Sequence, residues 1–437
     1  MHIDKKIFIG TVEVSGYANN VSKGLRELGY FCENVSYQEH NYKYSEDLNL
    51  PLLIKISRKI RTPNKFIEKI PFIKFFCIFA SEIINILWSI LAIFKYDVFI
   101  FLYGKSLIRF NIDLPILKLL GKTVISNLSF GSETRPPYLD GFTNCNNKLG
   151  KYDYLDIAKS SKRKGKLIRF HQKYCNFVIG SPTSTSQFAV KPFINSFILG
   201  FPVKVNNNLD ELNTSCTNKG HTYIVHAPSH RKGKGTQEIL RAIDNLKNKG
   251  YSISLNLLDG VTNREVIKAI KECDLVIDQI YSDTPMAGLA SEAASYAKPS
   301  IVGGYGLTYI KNFMDKDCWP PVKECLPEDI ENAIKDLIED EQQRLDLGTR
   351  ANKYIVEKRS ISVIAKYYDA LIKNMVPSEL WFDPKNIEFI YGTGQSQYQT
   401  KEIIEKLVSK YGDQSLGLEH NQSLKKSFLG LVNASDE

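Results

Sequence analysis

Short, unbroken apolar runs alternate with helical patterns along most of this chain, and that alternation restricts its fold more than any other feature. Residues 97–102, 122–127 and 223–226 lack the every-second-residue polar break of a half-exposed strand. Strands buried on both faces read this way, which points to parallel sheets covered by helices. In the first half, strands are expected at residues 6–9, 31–36, 97–102, 122–127 and 176–180, with a helix over 19–28 stopping at Gly29. In the second half, strands are expected at 223–226, 252–258, 274–279 and 300–302, and helices at 236–247, 263–273 and 286–297. Between the halves, residues 206–220 are polar and carry no apolar period, so they read as a linker. The expected fold class is α/β, with two Rossmann-like, doubly wound domains facing a cleft. The expected division is 1–205, linker 206–220, 221–376 and an extension 377–437. Helical patterns run on over 327–375, and an amphipathic helix at 401–410 is expected to pack back toward the first domain. From about Gly412 the chain reads as weakly ordered.

The chain has 437 residues, 43% hydrophobic and 24% charged, which suits globular domains with real cores. Its net charge of +9 is concentrated in two places. Residues 55–74 hold Lys55, Arg58, Lys59, Arg61, Lys65, Lys69 and Lys74 against the single acid Glu68, and residues 159–173 hold seven cations and no acid. Such clusters attract polyanions, or else form solvated helix faces. Neither interleaves aromatics, so nucleic acid is not an expected partner. Residues 75–94 are long and apolar enough to cross a bilayer, but Glu82 and Asn85 sit near the middle, where a charge costs about 2.5 kcal/mol or more. A buried or membrane-surface helix is therefore expected rather than a span. The basic stretch before it suits docking on anionic lipid. No two of the eight cysteines form Cys-x-x-Cys, so no zinc or redox site is expected. With no secretory leader at Met1, the expected location is cytoplasmic, either free or peripheral at the cytoplasmic membrane face.

Chemistry-bearing residues gather in the second half. The run 223–226 turns into Arg231-Lys-Gly-Lys-Gly-Thr236, a basic, glycine-rich turn at a helix start. Ligands of open α/β sheets bind beyond the carboxyl ends of the strands, where helix N-termini favour anions. A diphosphate suits Arg231 and Lys234; a solvated basic turn is the plain alternative. Farther on, Pro285-Met-Ala-Gly-Leu-Ala-Ser-Glu292 opens a helix with small residues. Backbone N–H groups of Ala287, Gly288 and Leu289 are expected to meet phosphate oxygens. Glu292 lies on an apolar helix and needs a partner. Two vicinal ribose hydroxyls would serve, as would a nearby Lys or Arg.

These residues resemble the C-terminal domain of family 4-type glycosyltransferases of the GT-B fold. That family carries a strand, a basic turn ending in Lys-Gly, and a Glu-x7-Glu motif closing in Glu-Ala-x-x-x-x-Lys-Pro. Lys234-Gly235, Arg231, Glu292 and Lys298-Pro299 match it. The first Glu of the pair is Thr284 here, with Asp283 beside it, and Asp278-Gln279 resembles a polysaccharide-type subset. In the first half, Gly10 to Gly16 resembles the family's first glycine loop, and Gly131-Ser-Glu-Thr-Arg135 its Gly-Ser-Asp-x-Arg segment, with Glu133 for Asp and the usual His missing. The likeness covers about residues 5–375.

The resemblance implies transfer of a sugar from a nucleoside diphosphate sugar to a glycan or lipid-linked acceptor, with retention of configuration, in the making of a bacterial surface polysaccharide. It implies a donor site of Gly10, Gly16, Arg231, Lys234, Asn263, Thr284, Ala287, Gly288, Leu289 and Glu292. Asn263 is placed near the base. It implies an acceptor site of Glu13, Ser132, Glu133 and Arg135, unless Glu133 and Arg135 form a local ion pair. Arg231, Lys234 and Glu133 are the expected catalytic groups. No cofactor or metal is expected, since no Asp-x-Asp motif stands in a fitting place and fixed cations take its part. Two other readings stay open: an epimerase or hydrolase of the same architecture, and a non-catalytic relative that only binds nucleotide sugar.

Overall fold

The computed structural model describes residues 3–38, 50–61, 71–144, 152–205, 220–314 and 316–433. Most of the expected linker, and Lys65, Glu68 and Lys69, lie outside these residues. The strands in chain order are β1 (Ile3–Thr11), β2 (Tyr30–Ser36), β3 (Val98–Leu102), β4 (Thr123–Asn127), β5 (Phe177–Gly180), β6 (Phe193–Asn195), β7 (Thr222–His226), β8 (Ile253–Leu257), β9 (Leu275–Gln279), β10 (Ser300–Gly303), β11 (Lys323–Cys325) and β12 (Trp381–Phe382). The longer helices are α1 (Tyr17–Glu27), α2 (Leu52–Arg61), α3 (Pro71–Lys95), α4 (Leu114–Leu119), α5 (Tyr154–Tyr174), α6 (Thr236–Asn248), α7 (Asn263–Glu272), α8 (Gly288–Ser295), α9 (Ile330–Glu339), α10 (Glu341–Tyr354), α11 (Ile361–Ile372), α12 (Gln397–Tyr411) and α13 (Gln422–Asn433).

Two sheets result. The first runs β12-β6-β5-β4-β3-β1-β2 and the second β11-β10-β9-β7-β8. All pairings are parallel except β12 on β6. β3 and β9 are buried at every residue, as continuous apolar runs in doubly covered sheets should be. In each sheet the first strand stands second from one edge, the next strand takes that edge and the later ones wind the other way, so the strand order reverses between β1 and β3, and again between β7 and β9. Crevices open at such reversals, beyond the carboxyl ends of the strands. The two crevices face each other, and this defines the class as GT-B.

Glycine sets two close approaches in the first domain. A Cβ on Gly10 would stand 2.2 Å from the Val35 carbonyl oxygen, so β1 and β2 need glycine there. A Cβ on Gly24 of α1 would stand 2.7 Å from that of Ala365, which lets α11 lie tight against α1. Tyr17 and Tyr368 join their hydroxyls across this contact at 2.9 Å, and Tyr30 donates to Asp369 at 2.6 Å. The chain has thus returned to the first sheet by α11, and the boundary expected at 376 moves back to about Ser360. Apolar burial decides this: Ile364, Tyr368, Leu371 and Ile372 complete the core of the first domain.

Past Gly412 the expectation of weak order is corrected. Leu416, Leu418, Leu424 and Phe428 are fully buried with Ile403 and Leu407 of α12 against α5. Among the described residues, one helix, α3, is long and apolar enough to cross a membrane, and 33% of its apolar stretch is buried. Of the two alternatives expected there, a buried or a membrane-surface helix, the fully buried one does not hold.

Candidate active site

Three strand-to-helix turns build the floor of the cleft. After β7, the buried His226 ring is held by the Ile277 carbonyl at 2.8 Å and the Thr236 hydroxyl at 2.9 Å. Burial pushes its pKa down to about 4, so the ring stays neutral. Four residues on, His230 caps a short helical turn, its Nδ1 accepting the Gly233 N–H at 3.0 Å. Gly235 then takes the left-handed conformation, φ 72°, that starts α6. This geometry turns Lys234 inward and Arg231 outward. Lys234 is 15% exposed, and its Nζ lies 3.5 Å from the Asp278 carboxylate at the end of β9.

The second turn follows β9. Gln279 donates to the Ser282 hydroxyl, which in turn donates to the Thr284 carbonyl at 2.7 Å. The chain enters α8 with open space around the Cα of Gly288, so the first N–H groups of the helix face the cleft without an overlying side chain. One turn into α8, Asn263 donates to the Glu292 carboxylate at 2.7 Å. Burial raises the Glu292 pKa to about 7, with Asn263 opposing and Asp278 adding slightly to the rise.

These turns enclose two joined chambers. The smaller, about 200 Å³, is lined by Ser15, Ser229, Lys234, Gly260, Asn263, Asp278, Gly288, Leu289 and Glu292. The larger, about 490 Å³, lies between the sheets, with Ser15, Phe130, Ser132 and Arg135 on one side and Lys234, Asp283, Thr284, Ala287 and Gly288 on the other. Ser15, Ser229, Lys234 and Gly288 belong to both. The volume is in the range of small-molecule sites, about 300–1,000 Å³.

Seven expected donor or acceptor residues therefore meet on the second-domain wall: Lys234, Asn263, Thr284, Ala287, Gly288, Leu289 and Glu292. Others do not. Arg231 is 57% exposed and bonds Asp259 at 2.6 Å; it lines neither chamber, because the short turn points it to solvent. Gly10 is used up in strand packing, as described above. Gly16, φ 79°, begins α1 just behind the lining residues Ser15 and Tyr17. Glu13 is buried and caps α1: it accepts N–H bonds from Val14, Ala18 and Asn19 at 2.8, 3.1 and 3.1 Å. It lines neither of the two chambers.

On the Gly131-to-Arg135 segment, Ser132 reaches the large chamber beside Tyr103, which shares a hydrogen bond with it. Glu133 turns into the protein. It accepts the Phe130 N–H at 2.8 Å, its second oxygen has no partner, and burial raises its pKa to about 7. It lines neither chamber. Nor do Glu133 and Arg135 form the local ion pair. Arg135 instead crosses the cleft to Asp283 at 2.8 Å, with Asp140 at 3.5 Å, and is therefore not an open cation for an acceptor. Thr183 adds a second crossing, donating to the Asp283 carbonyl at 2.9 Å.

Sequence reasoning missed Ser15, Ser229 and Arg359. Arg359 lines the large chamber from the crossover into α11 and donates to the Ile198 carbonyl at 3.2 Å. Its cationic type was visible, but nothing local placed it at the cleft.

No family model and no curated protein matches the chain. Solved structures are similar to it at low identity. Anabaena HepE in complex with UDP-glucose is 11% identical, over 85% of this chain and 99% of that one, with a TM-score of 0.48. The catalytic domain of starch synthase IV from Arabidopsis thaliana, bound to ADP and acarbose, is 12% identical over 85% and 99%, with a TM-score of 0.49. S. aureus TarM in complex with UDP is 13% identical over 67% and 59%, with a TM-score of 0.42. The strand order and facing crevices define the fold independently of these likenesses.

Proposed function

We propose that this chain is a glycosyltransferase that takes its sugar from a nucleoside diphosphate sugar. The observation that carries this reading is the wall shared by the two chambers. Lys234 and the start of α8 stand at their junction, and Glu292 stands at the far end of the smaller one. The nucleoside fits the smaller chamber, with its ribose on Glu292 and Asn263. The diphosphate fits the junction, where an ammonium and helix N–H groups converge. The sugar then projects into the larger chamber, where a glycan or lipid-linked acceptor meets it beside Ser132.

In this arrangement an acceptor hydroxyl attacks the anomeric carbon while the bond to the diphosphate breaks. Charge develops on the leaving oxygen, and Lys234 with the α8 N-terminus stabilises it. Asp283, a carboxylate lining the larger chamber, is committed to Arg135 and is poorly placed as a nucleophile. A front-face route, with the acceptor proton passing to the leaving phosphate oxygen and configuration retained, agrees with this. A surface polysaccharide as product remains part of the proposal, supported by the basic stretch in the sequence before α3, which suits a lipid-linked acceptor.

Glu292 supplies the test. Its ionised form accepts ribose hydroxyls, and its raised pKa leaves it largely protonated below neutrality. Affinity for a nucleoside diphosphate sugar, whose diester phosphates do not titrate here, is expected to rise between about pH 6 and 8. Glu292→Gln should weaken binding about tenfold at the upper end and flatten the profile. Calorimetry with UDP- and GDP-sugars reads both effects. No binding to any of them would remove the donor site from the account. Binding without sugar transfer to any acceptor would favour the non-catalytic reading.

A further inference from the structure

We propose that the outer face of α3, together with α4, docks on a bilayer surface containing anionic lipid. This goes beyond the donor site and does not depend on it. α3 is amphipathic in the reverse sense to a helix on a soluble domain. The stripe it turns inward is rich in polar side chains. Asn85 accepts from Ser57 of α2 at 2.7 Å, Ser89 donates to the Leu107 carbonyl at 3.2 Å and shares a bond with Tyr37 at 3.0 Å, and Glu82 takes Arg61 at 2.7 Å. The stripe it turns outward is apolar: Phe75, Phe79, Ile83, Leu87, Leu91 and Phe94 recur at helical spacing and are all exposed. Burying the polar stripe and exposing the phenylalanines makes sense only against a second apolar medium.

The neighbouring helix repeats the pattern. α4 buries Leu114 and Leu117 in the same cluster that holds Trp88 and Ile93 of α3, so both helices cover one face of the first sheet. Outward, α4 exposes Ile116 and Leu119, and Leu120 follows. Phe110, on the loop before it, is 78% exposed beside Arg109. An anionic lipid surface is the occupant that the charges favour. Lys55, Lys59, Lys74 and Arg109 are exposed on these same elements or next to them, and Glu82 is already paired. The inward hydrogen bonds hold α3 along the domain, so it lies on the membrane rather than across it. Arg58 and Arg61 are not part of the lipid contact: Arg58 donates to the Ser36 carbonyl at 2.7 Å, and Arg61 holds Glu82.

The test is flotation of the full chain with vesicles. One set is phosphatidylcholine alone, and the other is phosphatidylcholine with an equal amount of phosphatidylglycerol. The chain should float with the mixed vesicles and far less with the neutral ones. Phe79→Glu/Leu87→Glu/Leu91→Glu should reduce flotation roughly tenfold or more on both. Lys55→Glu/Lys59→Glu/Lys74→Glu should reduce it on the anionic vesicles alone. The lysine variant touches no buried contact, so it carries the test even if the apolar variant misfolds. Failure of the native chain to float, or flotation unchanged in both variants, would overturn the proposal. So would a dimer in light scattering that the apolar variant dissolves, since a second copy would then be the occupant.

Discussion

Lys234→Ala is expected to slow sugar transfer roughly 100-fold, with a smaller effect on donor affinity. The ammonium is the one expected cation that lines both chambers, and it stands at their junction beside the first turn of α8. A group aimed at charge that develops only as the bond breaks acts on the rate more than on binding. Arg231→Ala is the contrast. Its exposed pair with Asp259 is worth about 0.2–1 kcal/mol at most, and the transfer rate should barely move. Lys234→Ala also leaves the buried Asp278 without its cation, so a folding effect has to be separated from a catalytic one. Asp278→Asn does this: it removes the buried carboxylate and keeps the ammonium for the phosphate. Steady-state rates of all three variants, with thermal melts, check the set. A native rate in folded Lys234→Ala would refute the diphosphate placement.

Arg135→Ala should lower stability by about 3–5 kcal/mol. The guanidinium is 7% exposed and is shared by Asp283 across the cleft and Asp140 behind it. Removing it leaves the buried Asp283 carboxylate without its cation, while Asp140 keeps Lys164 at 3.9 Å. Asp283→Asn should cost less, because the guanidinium keeps Asp140 and no unpaired charge remains. The expected sign is a lower denaturant midpoint for Arg135→Ala, together with faster proteolysis between the domains, because the pair is one of the contacts that join them. Equal midpoints for the native chain and Arg135→Ala would show that the pair contributes nothing to holding the cleft together.

Much of the fold was legible because both sheets are parallel and doubly covered. Continuous runs such as 97–102 and 274–279 can hardly be anything but buried strands, and they are β3 and β9. The short strands β6, β11 and β12 were missed, since two or three residues carry no periodic signal. The order after Gly412 was missed for a different reason. Leu416, Leu418 and Phe428 are spaced irregularly, and only packing on α12 and on α5, far off in sequence, makes sense of them.

The donor wall was more legible than the acceptor wall. On the donor side the residues of one turn act together, so Gly288, Leu289 and Glu292 arrive as a unit on α8. On the other wall, side-chain direction decided the outcome. Glu13 and Glu133 are carboxylates in the right loops, yet each turns inward to satisfy backbone N–H groups. Arg135 found a partner 148 residues away, which no local pattern announces. Arg231 shows the same limit within one turn, as it and Lys234 leave a single helical turn in different directions.

One nucleotide is expected to span the junction between the two chambers. Amide hydrogen exchange on the full chain, with and without UDP and GDP, tests it most directly. The account predicts that the nucleotide that binds slows exchange at residues 287–291 and 260–263 together, the start of α8 and the loop into α7. Binding that leaves both segments exchanging as in the free protein would contradict it.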